Sequence, residues 1–375
     1  MVKQRIKIFI FAVLLSLLVV PVINIASTPF EVIKTTKNWK KRTFLYNLDF
    51  ASRWLAMVML PLGISVDPKQ VVVGTHGWLY YGDFYDKSLS AARLPANLED
   101  KKTIEQISSA MLAWDAYLKS KGVKEFKVLI GPDKHNVYPE YLPRWAKPVL
   151  PSITDDFYNG AASDIYVDAR GSMQSAKAAH PNTLLYYKTD SHWNFYGAAV
   201  AFHALGNALA KNAPELNWPK NVLNEVMETI PRGGGDLANI LRIGNYLSDF
   251  ETLIKTDALK VPITKTDFYS QKEFYKGEND VVFFGHTSTR VMSEKALNKK
   301  KVLWISDSFG NAMTYQMNIT FTEILQLHVD AAVLQDGHFI KLIDEWKPDY
   351  VFFTIVERTS RSESFKLYPP ANIVH

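Results

Sequence analysis

The stretch Val302-Leu303-Trp304-Ile305 is followed directly by Ser306-Asp307-Ser308-Phe309-Gly310. The first four residues are a continuous apolar run, which is typical of a strand buried on both faces. The next five are mostly small or polar, and helical spacing begins at about Asn311. A strand, a polar turn and a helix in this order predict one unit of an α/β sheet, with the turn at the carboxyl end of its strand.

Further strands and helices alternate on both sides of this unit. Apolar runs of strand length are Phe126–Ile130, Leu184–Tyr187, Glu323–Val329 and Tyr350–Val356, and helical spacing covers residues 98–121, 195–209 and 338–346. Val71–Val73 and Trp78–Tyr81 predict a hairpin. This alternation predicts a three-layer α/β/α domain over residues 70–375 with a mostly parallel sheet. Residues 212–300 are less regular and are expected to form an excursion.

The amino terminus carries a targeting signal. Lys3, Arg5 and Lys7 precede an unbroken apolar run from Ile8 to Ile23. Cations before such a run are typical of a signal anchor or a cleaved signal peptide. Because no small-x-small cleavage site follows, we expect residues 1–26 to be an uncleaved anchor, with the rest of the chain exported.

A juxtamembrane connector is expected over residues 27–69. Its cations Lys37, Lys40, Lys41 and Arg42 form either a solvated face or a contact with anionic lipid. The apolar stretch 54–66 contains Pro61 and is too short to span a bilayer, so it is expected to pack on the domain or on the membrane surface.

Composition excludes several classes of protein. Hydrophobic residues make up 47% of the chain and charged residues 22%, which argues against disorder. The net charge of +5 is small and dispersed, so nucleic acid is not an expected partner. The chain has no cysteine, which excludes disulfides, thiol nucleophiles and cysteine-rich zinc sites. A large exported domain without cysteine fits a bacterial periplasm.

Two polar turns are candidates for chemistry. Ser308 follows a buried strand, and the helix after it offers backbone N–H groups to a developing oxyanion. Alternatively, Asp307 or Ser308 simply caps that helix. Asp190 and His192 lie on a second turn, Thr189–Asn194, where the histidine can act as a base and the carboxylate can orient it. A metal site at Asp190 and His192 is the alternative, although no further ligand is evident in the sequence.

Several of these pieces together resemble a known family. Asp-Ser-Phe at 307–309 with Asp-x-His-Trp-Asn at 190–194 is similar to the SGNH-hydrolase-like domain of the bacterial alginate O-acetylation proteins of the AlgJ/AlgX type. The matching pieces, in order, are 77–80, 132–134, 138–143, 190–194, 235–237, 307–309 and 356–358. They extend over nearly the whole exported part of the chain.

The resemblance implies acyl-ester chemistry on a polysaccharide. It assigns Ser308 as nucleophile, His192 as base and Asp190 as orienter, with no metal and no soluble cofactor. The usual glycine and asparagine oxyanion blocks are not recognisable. The candidate oxyanion donors are therefore the Ser308 amide, Asn311 and Tyr315, and the same matching pieces add Lys134 and Trp193 as candidate substrate contacts.

The expected function is that of an O-acetyltransferase or acetylesterase held on the periplasmic side of the inner membrane. Acetyl-CoA is absent outside the cytoplasm, so a membrane acyltransferase partner is the expected acetyl donor. A non-catalytic glycan-binding or scaffold subunit of an exopolysaccharide machine is the alternative. A plain lipase or esterase is disfavoured because the chain has no Gly-x-Ser-x-Gly elbow. No motif names the polysaccharide or separates transfer from hydrolysis.

Overall fold

A computed structural model of the chain describes residues 2–37, 40–84, 87–220, 225–285, 287–329 and 337–370. The helices are α1 (Val2–Ala26), α2 (Phe30–Thr36), α3 (Arg42–Leu45), α4 (Asp49–Met59), α5 (Ser88–Arg93), α6 (Leu98–Ser120), α7 (Lys134–Val137), α8 (Asp155–Asn159), α9 (Arg170–Ala179), α10 (Phe195–Leu209), α11 (Asp236–Ile240), α12 (Gly310–Thr320) and α13 (His338–Trp346). The strands are β1 (Val71–Val73), β2 (Leu79–Tyr81), β3 (Glu125–Gly131), β4 (Tyr166–Asp168), β5 (Val226–Gly233), β6 (Ser248–Lys255), β7 (Pro262–Asp267), β8 (Glu273–Glu278), β9 (Thr289–Met292), β10 (Asn298–Ser306), β11 (Phe321–His328) and β12 (Tyr350–Val356).

The central sheet has eight strands in the order β4-β3-β12-β10-β11-β9-β7-β8. The pairs from β4 to β11 are parallel, and β9, β7 and β8 continue the sheet in antiparallel pairing. Two short antiparallel pairs, β1-β2 and β5-β6, stand outside it. The predicted hairpin at β1-β2 is confirmed, and so is the α/β architecture with a mostly parallel central sheet.

Helices cover both faces of this sheet because its central strands are apolar on both sides. Along β10, Val302 and Trp304 pack into the cluster that contains residues of α9, α10 and α12. Leu303 and Ile305 point the other way, into the cluster formed with α6 and α13. The side chains of the continuous apolar run therefore pack alternately into two separate hydrophobic cores, one on each face of the sheet.

The structure differs from the sequence-based expectation in two places. Residues 212–300 supply β7, β8 and β9, so much of the expected excursion extends the central sheet. These strands are short, carry Lys, Pro and Gly, and lie toward one edge, which is why their pattern is weak. Leu184–Tyr187 does not join the sheet. An isolated antiparallel β-bridge instead pairs Tyr186 with Trp193 across the turn that follows.

The described residues include one helix long and apolar enough to cross a membrane. Its span, Lys3–Ala26, has a mean hydropathy of 2.9, and 6% of its most apolar window is buried. This is the length that a bilayer span requires. A signal sequence has the same properties, so the helix agrees with an amino-terminal membrane segment without separating the anchored from the cleaved form.

Helix α10 begins at the predicted N-cap, and this cap also fixes the turn that precedes it. The buried Asn194 side chain accepts a hydrogen bond from the Gly197 N–H at 2.9 Å. Its amide group donates to the Leu184 carbonyl at 2.7 Å and to Thr252 Oγ1 at 3.3 Å. One side chain therefore starts the helix and ties it to Leu184, in the segment that precedes the polar turn.

Asn194→Ala should destabilise the protein by about 2–4 kcal/mol, since it removes a cap worth about 1 kcal/mol and leaves buried groups unpaired. The matched control is Asn97→Ala, which removes the N-cap of α6, an exposed residue in a capping box. That change should cost about 1 kcal/mol. Thermal unfolding of the full chain, followed by near-UV circular dichroism, measures both. Equal losses would show that the Asn194 cap has no additional role.

Candidate active site

The serine turn lies at the carboxyl end of β10, between that strand and α12. The Asp307 side chain accepts hydrogen bonds from the Phe309 N–H at 2.9 Å and from the Val356 N–H at 2.7 Å. It therefore fastens the turn to the end of the neighbouring strand β12. Burial raises the pKa of Asp307, although these two hydrogen bonds oppose the shift. Ser308 itself is exposed at the top of the turn.

Neither polar residue of this turn caps α12 through its side chain. Asp307 accepts the Phe309 N–H within the turn, and the N-cap residue of α12, Phe309, has no side-chain cap. The Ser308 hydroxyl instead lies 2.7 Å from Nε2 of His192. Gly310 is required at the start of α12, because a Cβ there would overlap the Ser306 side chain beneath it. The small residue lets the helix begin close enough to the strand to present Ser308 outward.

The histidine turn meets the serine turn at the same edge of the sheet. Nδ1 of His192 lies 2.7 Å from Oδ1 of Asp190, which also accepts the His192 backbone N–H at 3.1 Å. An ionised carboxylate only accepts hydrogen bonds, so the proton resides on Nδ1 and Nε2 is left to accept from Ser308. The three side chains form a continuous chain of hydrogen bonds, and 116 residues separate the serine from the histidine.

The electrostatics suit a base that works near neutral pH. Burial lowers the pKa of His192, but the hydrogen bond and charge of Asp190, with a smaller effect of Asp236, outweigh it, so the pKa is raised from 6.5. Burial raises the pKa of Asp190, but its hydrogen bonds to His192 and the nearby Arg232 hold it well below its usual range. Asp190 is therefore ionised and His192 is stabilised in its protonated form.

Lys134 supports the histidine turn from below. Its buried ammonium donates to the carbonyls of Tyr187 and Lys188 at 3.0 Å each and to that of Asp190 at 2.6 Å. Burial lowers the pKa of Lys134 to about 8, and the charges of Asp190 and two further aspartates oppose this shift. Three carbonyls use the three N–H bonds of an ammonium, so Lys134 positions the turn.

Trp193 is likewise a positioning residue. It is 1% exposed, its Nε1 donates to the Phe309 carbonyl at 2.8 Å, and its ring packs on the Phe309 ring at 4.8 Å. The Phe309 ring also lies 5.2 Å from that of His192. Both Lys134 and Trp193 are thus buried and hold the two turns together, and their expected role at the substrate stays a prediction.

The candidate oxyanion donors are placed as follows. The Ser308 N–H donates no hydrogen bond to the described part of the chain. Oδ1 of Asn311 accepts the Phe284 N–H at 3.0 Å, so the NH₂ group of Asn311 points away from Phe284. The Tyr315 ring lies further along α12, edge-on to Phe195 at 5.1 Å. The roles of Asn311 and Tyr315 stay predictions.

Asp236 is a site residue to which the sequence gave no role. Its carboxylate accepts the Ser191 N–H at 2.7 Å and the Ser191 hydroxyl at 2.6 Å, and Oδ2 lies 3.6 Å from Nδ1 of His192. Burial raises the pKa of Asp236, and the charge of Asp190 adds to the shift. The available signal was the matching piece 235–237, in which Gly235 is needed because a Cβ there would overlap the Asp190 side chain.

Asp190, His192 and Asp236 could also hold a metal ion by proximity, since their ligand atoms lie within 4.8 Å of one another. The hydrogen bonds favour another interpretation. Asp236 is occupied by Ser191, and Oδ2 of Asp190 lies 3.6 Å from the Arg232 guanidinium, a cation that disfavours a second one. The cluster is better described as a hydrogen-bonded acid–base site.

An open cleft of about 920 Å³ adjoins the serine turn. Asp307 and Arg358 line it on the side of the sheet, and Asn97, Lys87 and Arg361 are among the residues on its other walls. Arg358 is itself held by an ion pair with the buried Asp133 and lies 4.5 Å above the Tyr81 ring. Asp307 of the serine turn thus borders this cleft, whereas Ser308, His192 and Asp190 are not among its lining residues.

The sequence profile of the SGNH-hydrolase-like domain of acetyltransferase AlgX matches residues 71–273. The chain belongs to this family. The match includes Asp190 and His192 and ends before Ser308. The family relationship agrees with the α/β fold and with the resemblance predicted from the sequence.

Curated relatives carry a related name. The probable alginate O-acetylase AlgJ of Pseudomonas syringae pv. tomato is 26% identical over 190 residues, which cover 51% of this chain and 45% of that protein. The probable alginate O-acetylase AlgJ of Pseudomonas fluorescens is 29% identical over 168 residues, 44% of this chain and 39% of that protein. The chain thus spans less than half the length of these relatives.

Solved structures confirm the fold. Bacillus cereus PatB1 matches with a TM-score of 0.55 and 17% identity over 79% of this chain and 98% of that one. A DHHW family protein from Eubacterium siraeum matches with a TM-score of 0.53 and 17% identity over 82% of this chain and 98% of that one. At this identity the likeness concerns the fold alone.

Asp190→Asn should move the acidic limb of the pH–rate profile to lower pH while reducing turnover by up to about 10⁴-fold. The active base is neutral His192, and the Asp190 charge raises its pKa, so losing that charge lets the histidine lose its proton at lower pH. Hydrolysis of a chromogenic acetyl ester between about pH 5 and 9 measures both effects. This range brackets the ordinary pKa of histidine, about 6.5. The control Asp236→Asn should shift the limb less, since its carboxylate acts on His192 through charge from 3.6 Å. An unmoved limb in Asp190→Asn would contradict the assignment.

Removal of metals should leave ester hydrolysis by the wild-type chain unchanged. The acid–base interpretation needs only protons moving between Ser308, His192 and the ester, whereas a metal site would lose its ion to EDTA. The same assay with EDTA, and then with Zn²⁺ or Mn²⁺ restored, decides between them. Loss of activity with the chelator and recovery with either ion would replace the triad with a metal centre.

Proposed function

We propose that this chain is an exported O-acetyltransferase that modifies an exopolysaccharide through an acetyl-enzyme on Ser308. The observation that carries the proposal is the 2.7 Å contact between the exposed Ser308 hydroxyl and Nε2 of His192, whose Nδ1 is held by Asp190. A nucleophile, a base and an orienting carboxylate in this order are the requirements of acyl transfer through serine. Membership of the AlgX-type family supports the same chemistry.

In the first half-reaction, Ser308 Oγ attacks the carbonyl carbon of an acetyl ester and its proton passes to Nε2 of His192. The Ser308 N–H and the amino end of α12 are positioned to stabilise the oxyanion, with Asn311 as a further candidate donor. The bond to the leaving oxygen then breaks, and His192 returns the proton to that oxygen. The products are the acetylated serine and the deacylated donor.

In the second half-reaction, a sugar hydroxyl attacks the acetyl-enzyme while His192 takes its proton. The bond between the acetyl carbon and Oγ breaks, Oγ recovers the proton, and the acetate ester of the sugar leaves. Water in place of the sugar gives free acetate, which is acetylesterase activity. The cleft of about 920 Å³ is the proposed path of the polymer, since it is open and is bordered by Asp307 of the serine turn.

The setting of the reaction follows from the amino terminus. Helix α1 has the length and hydropathy of an anchor, and the cations before its apolar run favour an internal amino terminus. We place the catalytic domain on the periplasmic face of the inner membrane, with a membrane acyltransferase as acetyl donor. The relatives named as probable alginate O-acetylases make an exopolysaccharide the favoured acceptor.

Ser308→Ala should abolish acetyl transfer and remove covalent labelling by an aryl sulfonyl fluoride. Loss of the nucleophile in a serine triad reduces turnover by about 10⁶-fold. Wild type incubated with a chromogenic acetyl ester should carry one acetyl group on the peptide containing Ser308, detected by mass spectrometry. His192→Ala should lose the acetyl-enzyme as well, because serine and base act as a unit.

The matched control is Ser109→Ala, a serine exposed on α6, which should keep full activity. Thermal unfolding checks that Ser308→Ala remains folded, which we expect because the Ser308 side chain is exposed. Wild-type rates in folded Ser308→Ala would overturn the enzyme proposal and favour a glycan-binding subunit. Rates of acetyl-ester loss with and without polysaccharide separate transfer from hydrolysis.

A further inference from the structure

Helix α4 exposes an apolar surface on its outer side. Trp54, Leu55 and Val58 on α4, with Leu62 just beyond it, are 65%, 49%, 61% and 67% exposed. At 100° per residue these positions fall within one face of the helical turn. We name this surface the outer face of α4. Water-facing sides of helices are normally polar, so four large apolar residues together require an apolar or interfacial partner.

The opposite side of α4 is packed on the domain. Ala56 is buried in a cluster with residues of β1, β2 and α11. Asp49 pairs with Arg242 at 2.8 Å, and the Arg53 guanidinium lies 5.5 Å from the Tyr246 ring. Asp49 and Arg53 therefore contact the protein beside the buried Ala56, while the large apolar side chains of α4 face outward.

The end of α1 is fastened to the segment that leads into α4. The Asn24 amide donates to the carbonyls of Phe44, Leu45 and Asn47 at 2.9–3.0 Å. Asn24 is two residues from the end of α1, about 3 Å along the helix axis. If α1 spans the bilayer, these carbonyls lie at the depth where the helix leaves it, and α4 begins there.

Exposed cations surround this junction. Lys34, Lys37, Lys40, Lys41 and Arg42 all lie between the end of α1 and the start of α4 and are exposed. Basic residues beside a span attract anionic headgroups, with about 1 kcal/mol for each residue near the surface. A tryptophan on the outer face is also typical of the interfacial region of a membrane.

We propose that the outer face of α4 rests in the headgroup region of the bilayer and holds the catalytic domain against the membrane. The inference rests on the proposed anchoring by α1. An amphipathic helix of this kind lies in the plane of the interface with its apolar side about 5–10 Å below the headgroups. The occupant is lipid, because the face is continuous with the span and bordered by cations.

The proposed contact places the active site close to the membrane. The buried side of α4 packs on α11 through the cluster that contains Leu237 and Ala238. Helix α11 begins at Asp236, which accepts two hydrogen bonds from Ser191 next to His192. Helices α4 and α11, each about 10 Å across with side chains, therefore lie between the outer face of α4 and the histidine turn. An acetyl group delivered from the membrane would reach Ser308 without the domain leaving the surface.

Fluorescence quenching of a bimane label tests this placement. The chain has no cysteine, so single substitutions give one labelled site each in the full-length protein. Val58→Cys reports the outer face, and Leu14→Cys reports α1. The matched control is Leu112→Cys, an exposed leucine on α6, which packs on the sheet face opposite to the β1-β2 hairpin. The labelled proteins are reconstituted in vesicles of phosphatidylethanolamine and phosphatidylglycerol.

Doxyl-labelled lipid should quench the bimane fluorescence of Val58→Cys to within about twofold of that of Leu14→Cys. Aqueous iodide should quench Val58→Cys at least about fivefold less than Leu112→Cys, because a label below the headgroups is shielded from water. Iodide quenching of Val58→Cys at the level of Leu112→Cys would overturn the proposal. Protection from both quenchers would also overturn it and point to a protein partner. Iodide quenching of Leu14→Cys would contradict the proposed membrane anchor. Acetyl-ester hydrolysis measured in the same samples tests the proposed enzyme activity separately.

Discussion

The buried ammonium of Lys134 is the interaction on which the geometry of the candidate site depends. It binds three carbonyls of the segment that carries Asp190 and His192. Such a turn exposes backbone oxygens that neither a helix nor a sheet pairs, and leaving them unpaired in the interior is costly. The lysine satisfies them with one side chain, and the turn can therefore hold a shape that directs His192 toward Ser308. Removal of the cation would leave the carbonyls of Tyr187 and Asp190 without this donor, whereas that of Lys188 would keep its hydrogen bond from the Leu79 N–H.

The serine turn depends on a similar device with the opposite charge. The buried Asp307 carboxylate accepts one N–H from its own turn and one from the end of β12. The serine turn lies at the carboxyl end of β10, whereas the histidine turn follows a segment that is outside the sheet. Trp193 joins the two turns directly through its bond to the Phe309 carbonyl. The end of β10 sets the position of Ser308, and these buried polar groups hold the histidine turn against it.

The predictable and unpredictable parts of the structure differ in the range of the interactions that determine them. Strands β3, β10 and β12 and helix α10 follow from local patterns, because buried parallel strands are apolar throughout and the helix has an asparagine cap. The sequence also predicts Ser308 and His192 as site residues, because Ser308 follows strand β10 and His192 precedes helix α10. The direction of a side chain is not a local property: Lys134 and Trp193 were expected at the substrate and lie beneath the turns. Asp236 lies in the matching piece 235–237 but was given no role, because the direction of its carboxylate toward Ser191 is likewise set by the fold.

The amino-terminal helices connect this site to its proposed location. Helix α11 takes part in two contacts, one with the histidine turn through Asp236 and one with α4 through the apolar cluster. The Asn24 amide in turn ties α1 to the segment before α4. The path from the proposed membrane span to the catalytic residues therefore runs through packed elements and named hydrogen bonds, not only through the covalent linker at residues 27–29. Since packed elements have few alternative arrangements, the orientation of Ser308 relative to the bilayer would be set by the fold itself. A fixed orientation favours transfer over hydrolysis if the acetyl donor arrives from the membrane, because a positioned donor and acceptor compete with water through effective concentration.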